Sequence, residues 1–327
     1  MTQRASADRL GTEAASLAGL RMRQEVLSGL SGHPKSIPSK YFYDEAGSRL
    51  FEEITRLDEY YLTRIERTIL EDHLGEIAEL LGEDVLVVEP GAGNGAKTRL
   101  LLERLERPAA YVPIDISGAF LQEAADRLRV ELPGIPILPV VGDFTAQPAL
   151  PDPPHPAGRR VVFFPGSTIG NFVALEACRL LRGMRWLAGA EGAVLVGFDL
   201  VKPVERLLAA YDDRSGVTAR FNLNLLERLN RELGADFDLA SFRHRAIFEP
   251  VPSRIEMHLV STRSQQVRID DRTFDFASGE PIVTEHCHKY TPDGFAELAC
   301  AAGLRAEAEW TDPDRLFCVQ LLVPVEE

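Results

Sequence analysis

The sequence predicts an α/β protein with a doubly wound, mainly parallel sheet, and three observations support this fold class. From about residue 65, short β-branched runs alternate with segments whose leucines recur at helical spacing. The runs are continuously apolar, as expected for strands that helices cover on both faces. A glycine-rich loop follows the first run, which is where an open α/β sheet places its ligand.

The predicted strands recur along the chain and are separated by predicted helices. The first strand spans residues 84–89, and Ser117 is expected to cap the helix that follows the second strand. The other strands are expected at residues 110–117, 135–144, 161–165 and 192–200, with a last one in LFCVQLLVPV near the C-terminus. Proline-rich residues 146–160 predict a surface loop, because proline lacks a backbone donor.

The pattern changes after Leu200, and this change predicts an insertion. Residues 221–233 have the spacing of a helix, and residues 245–290 alternate apolar and polar side chains as antiparallel strands do. We therefore expect two discontinuous domains, an α/β domain from residues 65–201 and 290–327 and an α+β domain from residues 1–64 and 202–289.

Composition and charge exclude several classes of protein. Fifty acidic against 36 basic residues give a net charge of -14 at pH 7, which disfavours nucleic acid or an anionic membrane surface as a partner. A small molecule is therefore the expected ligand. The four cysteines form no CxxC pair, the first twenty residues lack a signal-peptide core, and no apolar run could span a membrane. We expect a cytoplasmic monomer.

The loop after the first strand reads EPGAGNG over residues 89–95. Its alternate glycines allow the backbone to approach a ligand that a Cβ would block. A phosphate-binding P-loop would require glycine at Ala96, and a dinucleotide fingerprint would require GxGxxG rather than GxGxG. A tight turn without a ligand is the remaining alternative.

Acidic residues also end the next two predicted strands. Asp115 lies about twenty residues past the glycines, where a carboxylate can accept hydrogen bonds from both hydroxyls of a ribose. Asp143, followed by Phe144, ends the third strand. Three acidic residues at successive strand ends, Glu89 included, indicate a binding site more than a set of ordinary turns.

The ExGxGxG pattern resembles that of class I S-adenosylmethionine-dependent methyltransferases. This resemblance implies a Rossmann-like domain with S-adenosyl-L-methionine as its cofactor. In these enzymes the acidic residue after the third strand bonds to the adenine, and the apolar residue beside it packs on the base. The implied cofactor-binding residues are Glu89, Gly91, Gly93, Gly95, Lys97, Asp115, Asp143 and Phe144.

A closer resemblance extends from about residue 35 to the C-terminus. YFYDEAGSRLFE from Tyr41, continuing to EYYLTR from Glu59, is similar to the N-terminal signature of the histidine Nα-methyltransferases of ergothioneine biosynthesis, the EgtD family. Later matches to the same family are PGSTIGN from Pro165, YDD from Tyr211, EMH from Glu256 and TEHCHKY from Thr284. Separate motifs in the same order make the resemblance specific.

This resemblance implies an enzyme that trimethylates the α-amino group of L-histidine to hercynine, consuming three molecules of S-adenosylmethionine. It also implies that the α+β domain closes over the amino acid. Asn171 and Tyr211 would hold the substrate carboxylate. Tyr43 and Tyr60 would be the catalytic residues, bonding near the amine and the imidazole.

The last two motifs imply the side-chain end of the substrate site. Met257 would line it, and Glu285 would meet an imidazole nitrogen. Two positions after this glutamate the family pattern has serine, whereas this chain has Cys287, a weaker donor and acceptor. Cys287 keeps open the methylation of another aromatic amino acid or amine, such as tryptophan. A separate alternative is binding of S-adenosylmethionine without turnover.

Strand geometry argues against a metal site in the EHCHKY segment. Residues two apart share a face, which places Glu285, Cys287 and Lys289 on one side and His286 and His288 on the other. Adjacent side chains diverge, and no distant cysteine pair completes four zinc ligands. We expect no metal.

The chemistry of methyl transfer also favours tyrosines near the amine. Displacement at a sulfonium releases a neutral leaving group, so the reaction requires an aligned, deprotonated amine more than a strong base. Alignment in a dry site can contribute up to about 7 to 11 kcal/mol. Tyrosine hydroxyls orient an amine without holding its proton, as a carboxylate would.

Overall fold

The computed structural model describes residues 19–146 and 148–325. Its strands are β1 (Lys35–Ser36), β2 (Val85–Pro90), β3 (Ala110–Asp115), β4 (Val140–Val141), β5 (Arg159–Phe164), β6 (Ala193–Asp199), β7 (Phe242–Glu249), β8 (Arg254–Ser261), β9 (Gln265–Ile269), β10 (Arg272–Phe276), β11 (Pro281–His288), β12 (Leu304–Thr311) and β13 (Phe317–Pro324). Its helices are α1 (residues 19–30), α2 (Glu45–Ile54), α3 (Tyr61–Leu81), α4 (Ala96–Arg104), α5 (Gly118–Glu131), α6 (Ala174–Ala188), α7 (Val204–Tyr211), α8 (Val217–Leu233) and α9 (Pro292–Ala301). A 3₁₀ turn at Thr168–Asn171 follows β5.

A seven-stranded sheet in the order β12-β13-β6-β5-β2-β3-β4 forms the larger layer. Strands β2 to β6 are parallel, and β13 runs antiparallel between β6 and β12. The strand order changes direction at β2, because β3 and β4 continue on one side of it and β5 and β6 on the other. Ligands bind at such a switch point, beyond the carboxyl ends of the strands. The predicted α/β, doubly wound fold class is confirmed.

Strand β2 is buried on both faces of the sheet, and this accounts for its continuously apolar sequence. All six of its residues are buried. Val85 and Val87 belong to the apolar cluster on one face of the sheet, whereas Leu86 and Val88 belong to a cluster on the other face. Helices thus exclude water from both faces, and an alternating pattern is not needed.

A four-stranded sheet in the order β1-β11-β8-β7 forms the second layer, with β9 and β10 as a separate hairpin. Strands β7, β8 and β11 pair antiparallel, in agreement with the alternation predicted after Leu200. The end of β11 joins the end of β6, since the Tyr290 amide donates to the Asp199 carbonyl at 3.1 Å and the Val201 amide donates to the Tyr290 carbonyl at 3.0 Å. This connection places β11 opposite the carboxyl edge of the large sheet.

The strand predicted over residues 135–144 is wrong in its extent. Regular pairing is limited to β4, with one isolated bridge between Tyr111 and Ile137. Pro136 and Pro139 lack the amide that a ladder requires, which accounts for the shortened strand. Ser117 precedes α5 as predicted, but its side chain forms no cap hydrogen bond.

Further predictions concern the domain boundary, the N-terminal segment and membrane-spanning segments. The predicted division between residues 64 and 65 falls inside α3, and the two-domain division stays a prediction. Most of the N-terminal segment that lacks a signal-peptide core lies outside the described residues. Across 19–146 and 148–325, none of the helices combines the length and apolarity needed to cross a bilayer.

Candidate active site

One cavity of about 280 Å3 lies between the carboxyl edge of the large sheet and β11. Every site residue that the sequence predicts lines this cavity, and they form two groups. We call the first group the glycine-loop end; it comprises Glu89, Gly91, Gly93, Gly95, Lys97, Asp115, Asp143 and Phe144. We call the second group the tyrosine end; it comprises Tyr43, Tyr60, Asn171, Tyr211, Met257, Glu285 and Cys287.

The loop between β2 and α4 has a conformation that requires glycine. Gly91, Gly93 and Gly95 have φ angles of 72°, 56° and 67°, which side chains with a Cβ rarely adopt. A Cβ on Gly95 would lie 2.9 Å from Leu128 Cδ1, whereas a Cβ on Gly93 would meet no protein atom within 4 Å. The backbone at Gly93 therefore faces the cavity directly.

Glu89 on β2 lies directly before this loop and is hydrogen-bonded to the elements around it. Its side chain is buried, and its Oε2 accepts hydrogen bonds from the hydroxyls of Thr98 on α4 and Tyr111 on β3. Burial raises the pKa of Glu89 to about 7, although both hydrogen bonds act to lower it. The Glu89 carboxyl group thus connects β2 to β3 and to α4 through hydrogen bonds.

Asp115 connects the loop to the end of β3. Its Oδ2 accepts from the Gly93 amide at 3.1 Å, and its Oδ1 accepts from the Ser117 amide at 2.9 Å. Burial raises the pKa of Asp115, and the backbone hydrogen bonds partly oppose this effect. Each oxygen retains a lone pair, so the carboxylate can also accept hydrogen bonds from two ribose hydroxyls.

Asp143 is already engaged by the N-terminal segment. Its Oδ2 lies 3.0 Å from Lys40 Nζ and 3.3 Å from an Arg21 nitrogen, and its Oδ1 accepts from the Thr145 amide at 2.9 Å. Burial acts to raise the pKa of Asp143, but the hydrogen bonds from Thr145 and Lys40 lower it overall. An adenine amine would share this carboxylate with Lys40, a cavity residue that the sequence analysis missed.

Phe144 and Lys97 complete the glycine-loop end. Phe144 packs edge to face against Phe164 with 5.7 Å between ring centroids, and it presents an apolar surface beside Gly91. The Lys97 ammonium forms an ion pair with Glu66, a buried carboxylate on α3. Lys97 is thereby held at the cavity wall.

These features fit S-adenosylmethionine. Glycines with positive φ leave space for a nucleoside against the backbone, and Asp115 offers acceptors at the position of a ribose. Phe144 offers an apolar surface where the resemblance places the adenine. The glycine-loop end therefore has the shape and the hydrogen-bonding groups that this cofactor needs.

Strand β11 supplies the floor of the tyrosine end. Glu285 and Cys287 both line the cavity, and Met257 on β8 is paired in register with Glu285. His286 instead approaches Glu256 at 3.5 Å on the other face, as the alternation predicts. No group of three or more histidine, cysteine, aspartate or glutamate side chains within the described ranges is arranged to hold a metal.

Asn171 is placed against Glu285 by a close approach of the 3₁₀ turn to β11. A Cβ on Gly170 would lie 2.9 Å from the His288 carbonyl oxygen, so the approach requires glycine. Asn171 Nδ2 donates to Glu285 Oε1 at 3.3 Å. Burial raises the pKa of Glu285 to about 7, while Lys289 and Asn171 act to lower it.

The three tyrosines come from different elements and are arranged by aromatic packing. Phe51 on α2 lies between them, with ring centroids 5.7 Å from Tyr43 and 6.1 Å from Tyr60. Tyr60 in turn meets Tyr211 edge to face at 6.2 Å. Tyr43 precedes α2, Tyr60 precedes α3 and Tyr211 ends α7, so packing between these segments sets the positions of the tyrosine rings.

Burial keeps these phenols protonated. It raises the pKa of Tyr43, Tyr60 and Tyr211 above the ordinary tyrosine value. The negative charges of Glu285 and Asp115 further raise the pKa of Tyr43, which places this hydroxyl within electrostatic reach of both ends of the cavity.

A buried ion cluster behind Tyr211 was missed by the sequence analysis. Asp199 at the end of β6 lies 2.9 Å from Lys289 Nζ, forms an ion pair with Lys202 and accepts from the Tyr61 hydroxyl at 2.8 Å. The only sequence signal was the position of Lys289 on the face shared by Glu285 and Cys287. Asp199 lies within the predicted strand over residues 192–200, where no motif marks it.

Comparisons with known proteins agree with the geometry. The model of the family described as histidine-specific, S-adenosylmethionine-dependent methyltransferase matches residues 22–324. Over 315 residues the chain is 43% identical to a histidine N-alpha-methyltransferase of Mycolicibacterium smegmatis, covering 95% of this chain and 97% of that protein. It is 42% identical over 311 residues to the protein of that name from Mycobacterium tuberculosis, covering 94% and 95%.

A fungal protein shows a more distant similarity. Ergothioneine biosynthesis protein 1 of Neurospora crassa is 29% identical over 299 residues, covering 85% of this chain and 32% of the fungal protein. The resemblance inferred from the motifs is therefore confirmed. Matched over nearly its whole length and carrying a glycine loop that fits the cofactor, this chain belongs to the histidine-specific, S-adenosylmethionine-dependent methyltransferases.

Proposed function

We propose that this chain methylates the α-amino group of L-histidine three times with S-adenosylmethionine, giving hercynine for ergothioneine biosynthesis. One observation carries the proposal: a single cavity joins the glycine-loop end to Glu285, Asn171 and three tyrosines. The names of the two mycobacterial relatives support histidine as the acceptor.

The tyrosine end offers a partner for each polar group of histidine. Asn171 and Tyr211 hold the carboxylate through an amide N–H and a hydroxyl. Glu285 accepts an imidazole N–H, and its hydrogen bond with Asn171 sets the orientation of the carboxylate before substrate arrives. Met257 contributes an apolar wall beneath the ring. These contacts fix the amino acid at both ends.

Tyr43 and Tyr60 orient the amine between these contacts. S-adenosylmethionine supplies an electrophilic methyl group, whose transfer forms an N–C bond and breaks a C–S bond, leaving the electron pair on sulfur. The amine must lose a proton before each transfer. A neutral phenol accepts a hydrogen bond from the amine without the negative charge that would stabilise the ammonium, which is why protonated tyrosines suit this site.

We also propose that the two predicted domains bind different ligands. Residues 65–201 and 290–327 bind the cofactor and contribute Asn171 to the substrate site, and residues 1–64 and 202–289 supply the other substrate contacts and cover the substrate. The contribution of Tyr43, Tyr60, Tyr211 and Met257 to one end of the cavity supports this division.

Mass spectrometry of the reaction products tests the proposed function. The protein is incubated with S-adenosylmethionine and each of the twenty amino acids in turn. We expect additions of one, two and three methyl groups to histidine and to no other amino acid. Methylation of tryptophan instead would contradict histidine as the acceptor, and no methylation at all would contradict the proposal as a whole.

A further inference from the structure

Lys289 is a fully buried cation that the reaction outlined above does not use. Its side chain is 0% exposed. Its Nζ lies 2.9 Å from Asp199 Oδ2 and donates to the Tyr211 hydroxyl oxygen at 3.0 Å and to Cys287 Sγ at 3.2 Å. An ammonium has three N–H groups, so all its donors are directed at these three atoms.

The cluster around Lys289 carries an excess positive charge. Asp199 is shared with Lys202, whose side chain is only 2% exposed, so one carboxylate faces two ammonium groups. Burial acts to lower the pKa of Lys289, but Asp199 raises it overall, and Lys289 stays charged. The titratable groups that face this cluster include Tyr60, Tyr61, Tyr211, Glu285, Cys287 and His288, and the Arg206 guanidinium lies over the Tyr61 ring.

Excess buried charge is costly unless an anion is supplied. Glu285 on β11 is within electrostatic reach of Lys289, but it accepts a hydrogen bond from Asn171 and is assigned to the imidazole. The α-carboxylate of the substrate is the anion that the proposed function brings to Tyr211. Lys289 donates to the Tyr211 hydroxyl whereas Lys202 donates to Tyr61, so it is Lys289 that brings positive charge to the substrate carboxylate. The site is therefore complementary to an amino acid and not to the corresponding amine.

We propose that Lys289 is a positioning residue that recognises the substrate carboxylate through Tyr211. Because the Tyr211 oxygen accepts from Lys289, its own proton is directed away from the ammonium. In the structure this hydroxyl lies 2.8 Å from Cys287 Sγ, and a carboxylate is a much stronger acceptor than sulfur. This inference rests on the proposed function and adds the requirement for a carboxylate to it.

Histidine and histamine separate this role from a merely structural one. The two ligands share the imidazole and the amine and differ in the carboxylate. Calorimetry with S-adenosylhomocysteine present gives the affinity for each. In Lys289→Met we expect histidine affinity to fall at least tenfold, as for lost hydrogen bonds to a charged group, while histamine affinity changes less than threefold. Affinity for S-adenosylhomocysteine should stay within twofold.

Two further variants show whether the effect passes through Tyr211. Lys202→Met removes the other ammonium of the cluster, which does not contact Tyr211, and should leave the histidine to histamine affinity ratio within threefold of wild type. In a Tyr211→Phe background, Lys289→Met should change this ratio no further. In Lys289→Met, Asp199 keeps Lys202 and Tyr61 as partners, so the protein should still fold. If Lys289→Met does not fold, Lys289→Gln replaces it in the same measurements.

The possible outcomes separate this inference from the proposed function. A wild-type protein that binds no histidine overturns both. A wild-type protein that prefers histidine, together with a Lys289→Met protein that keeps the same ratio, overturns the role of Lys289 alone. Equal losses for histidine and histamine, or an equal change of ratio in Lys202→Met, would also overturn it.

Discussion

The two ends of the cavity are built in different ways. The residues of the glycine-loop end all lie between positions 89 and 144, and the shape of its loop depends on three backbone positions with positive φ. The tyrosine end brings together side chains from segments that are far apart in the chain, from residue 43 to residue 287. They come from the residues before α2 and before α3, from the 3₁₀ turn after β5, and from α7, β8 and β11. One end is defined by main-chain conformation and the other by tertiary packing.

This difference predicts different responses to substitution. A backbone cradle is lost when one glycine gains a side chain, because neither the conformation nor the space can be replaced. A site formed by several side chains loses one contact at a time, so single substitutions there change affinity and acceptor choice gradually. The predictions below test this contrast.

The largest effect is expected for Gly93→Val. A branched side chain at φ 56° would be strained and would occupy the face of the loop that lines the cavity. We expect calorimetric affinity for S-adenosylmethionine to fall more than a hundredfold. Gly279→Val is the matched control, since Gly279 has a φ of 86° with no atom near its Cβ position and does not line the cavity. Retained cofactor affinity in Gly93→Val would disprove the cradle.

A smaller, selective effect is expected for Glu285→Ala. The change removes the imidazole acceptor and the partner of Asn171 but leaves the glycine loop intact. We expect KM for histidine to rise roughly ten- to a hundredfold, as for the loss of a charge-assisted hydrogen bond, with KM for S-adenosylmethionine changed less than threefold.

The control for this variant is Glu249→Ala on β7, which removes a carboxylate of the same sheet away from the cavity. It should leave both KM values unchanged. Equal increases of both KM values in Glu285→Ala would remove Glu285 from the substrate site and would weaken the distinction between the two ends.

Cys287→Ser is expected to act weakly and in the favourable direction. Serine restores the residue of the family pattern and replaces a poor hydrogen-bonding group next to the Tyr211 hydroxyl. Histidine turnover, measured by product formation, should be unchanged or a few-fold higher. A change of preferred acceptor to another amino acid would show instead that the thiol determines specificity.

The smallest effect concerns stability. Burial raises the pKa of Glu285 from 4.5 to about 7, so the ionised form opposes folding, and the stability present below pH 4.5 is lost as the pH rises through about 7. Glu285→Gln should therefore be more stable than wild type at pH 8, by on the order of 1 kcal/mol. Thermal unfolding at pH 8 and pH 4 measures this; a difference that grows toward low pH would have the wrong sign.

The sequence was most informative where local conformation determines the site. Gly91, Gly93 and Gly95 could be assigned from spacing because their positive φ angles are a local property. The apolar content of residues 135–144 favours a strand, but Pro136 and Pro139 lack backbone donors, and regular pairing is limited to β4. The strand propensity of the apolar residues is outweighed there by the loss of backbone hydrogen bonds.

The tyrosine end could be located only through the family resemblance. Tyr60 and Tyr211 are 151 positions apart in the sequence, yet their rings pack at 6.2 Å. Nothing in local spacing predicts that contact or the ion pair between Asp199 and Lys289. Such pairs depend on how β6 and β11 meet, which is a property of the assembled fold.

The most direct test of this account is a crystal structure with S-adenosylhomocysteine and L-histidine bound together. We predict the nucleoside against the glycine loop, the imidazole at Glu285, the carboxylate at Asn171 and Tyr211, and the α-amino nitrogen facing the sulfur. A cavity filled by protein side chains, or a histidine whose amine points away from the sulfur, would contradict it.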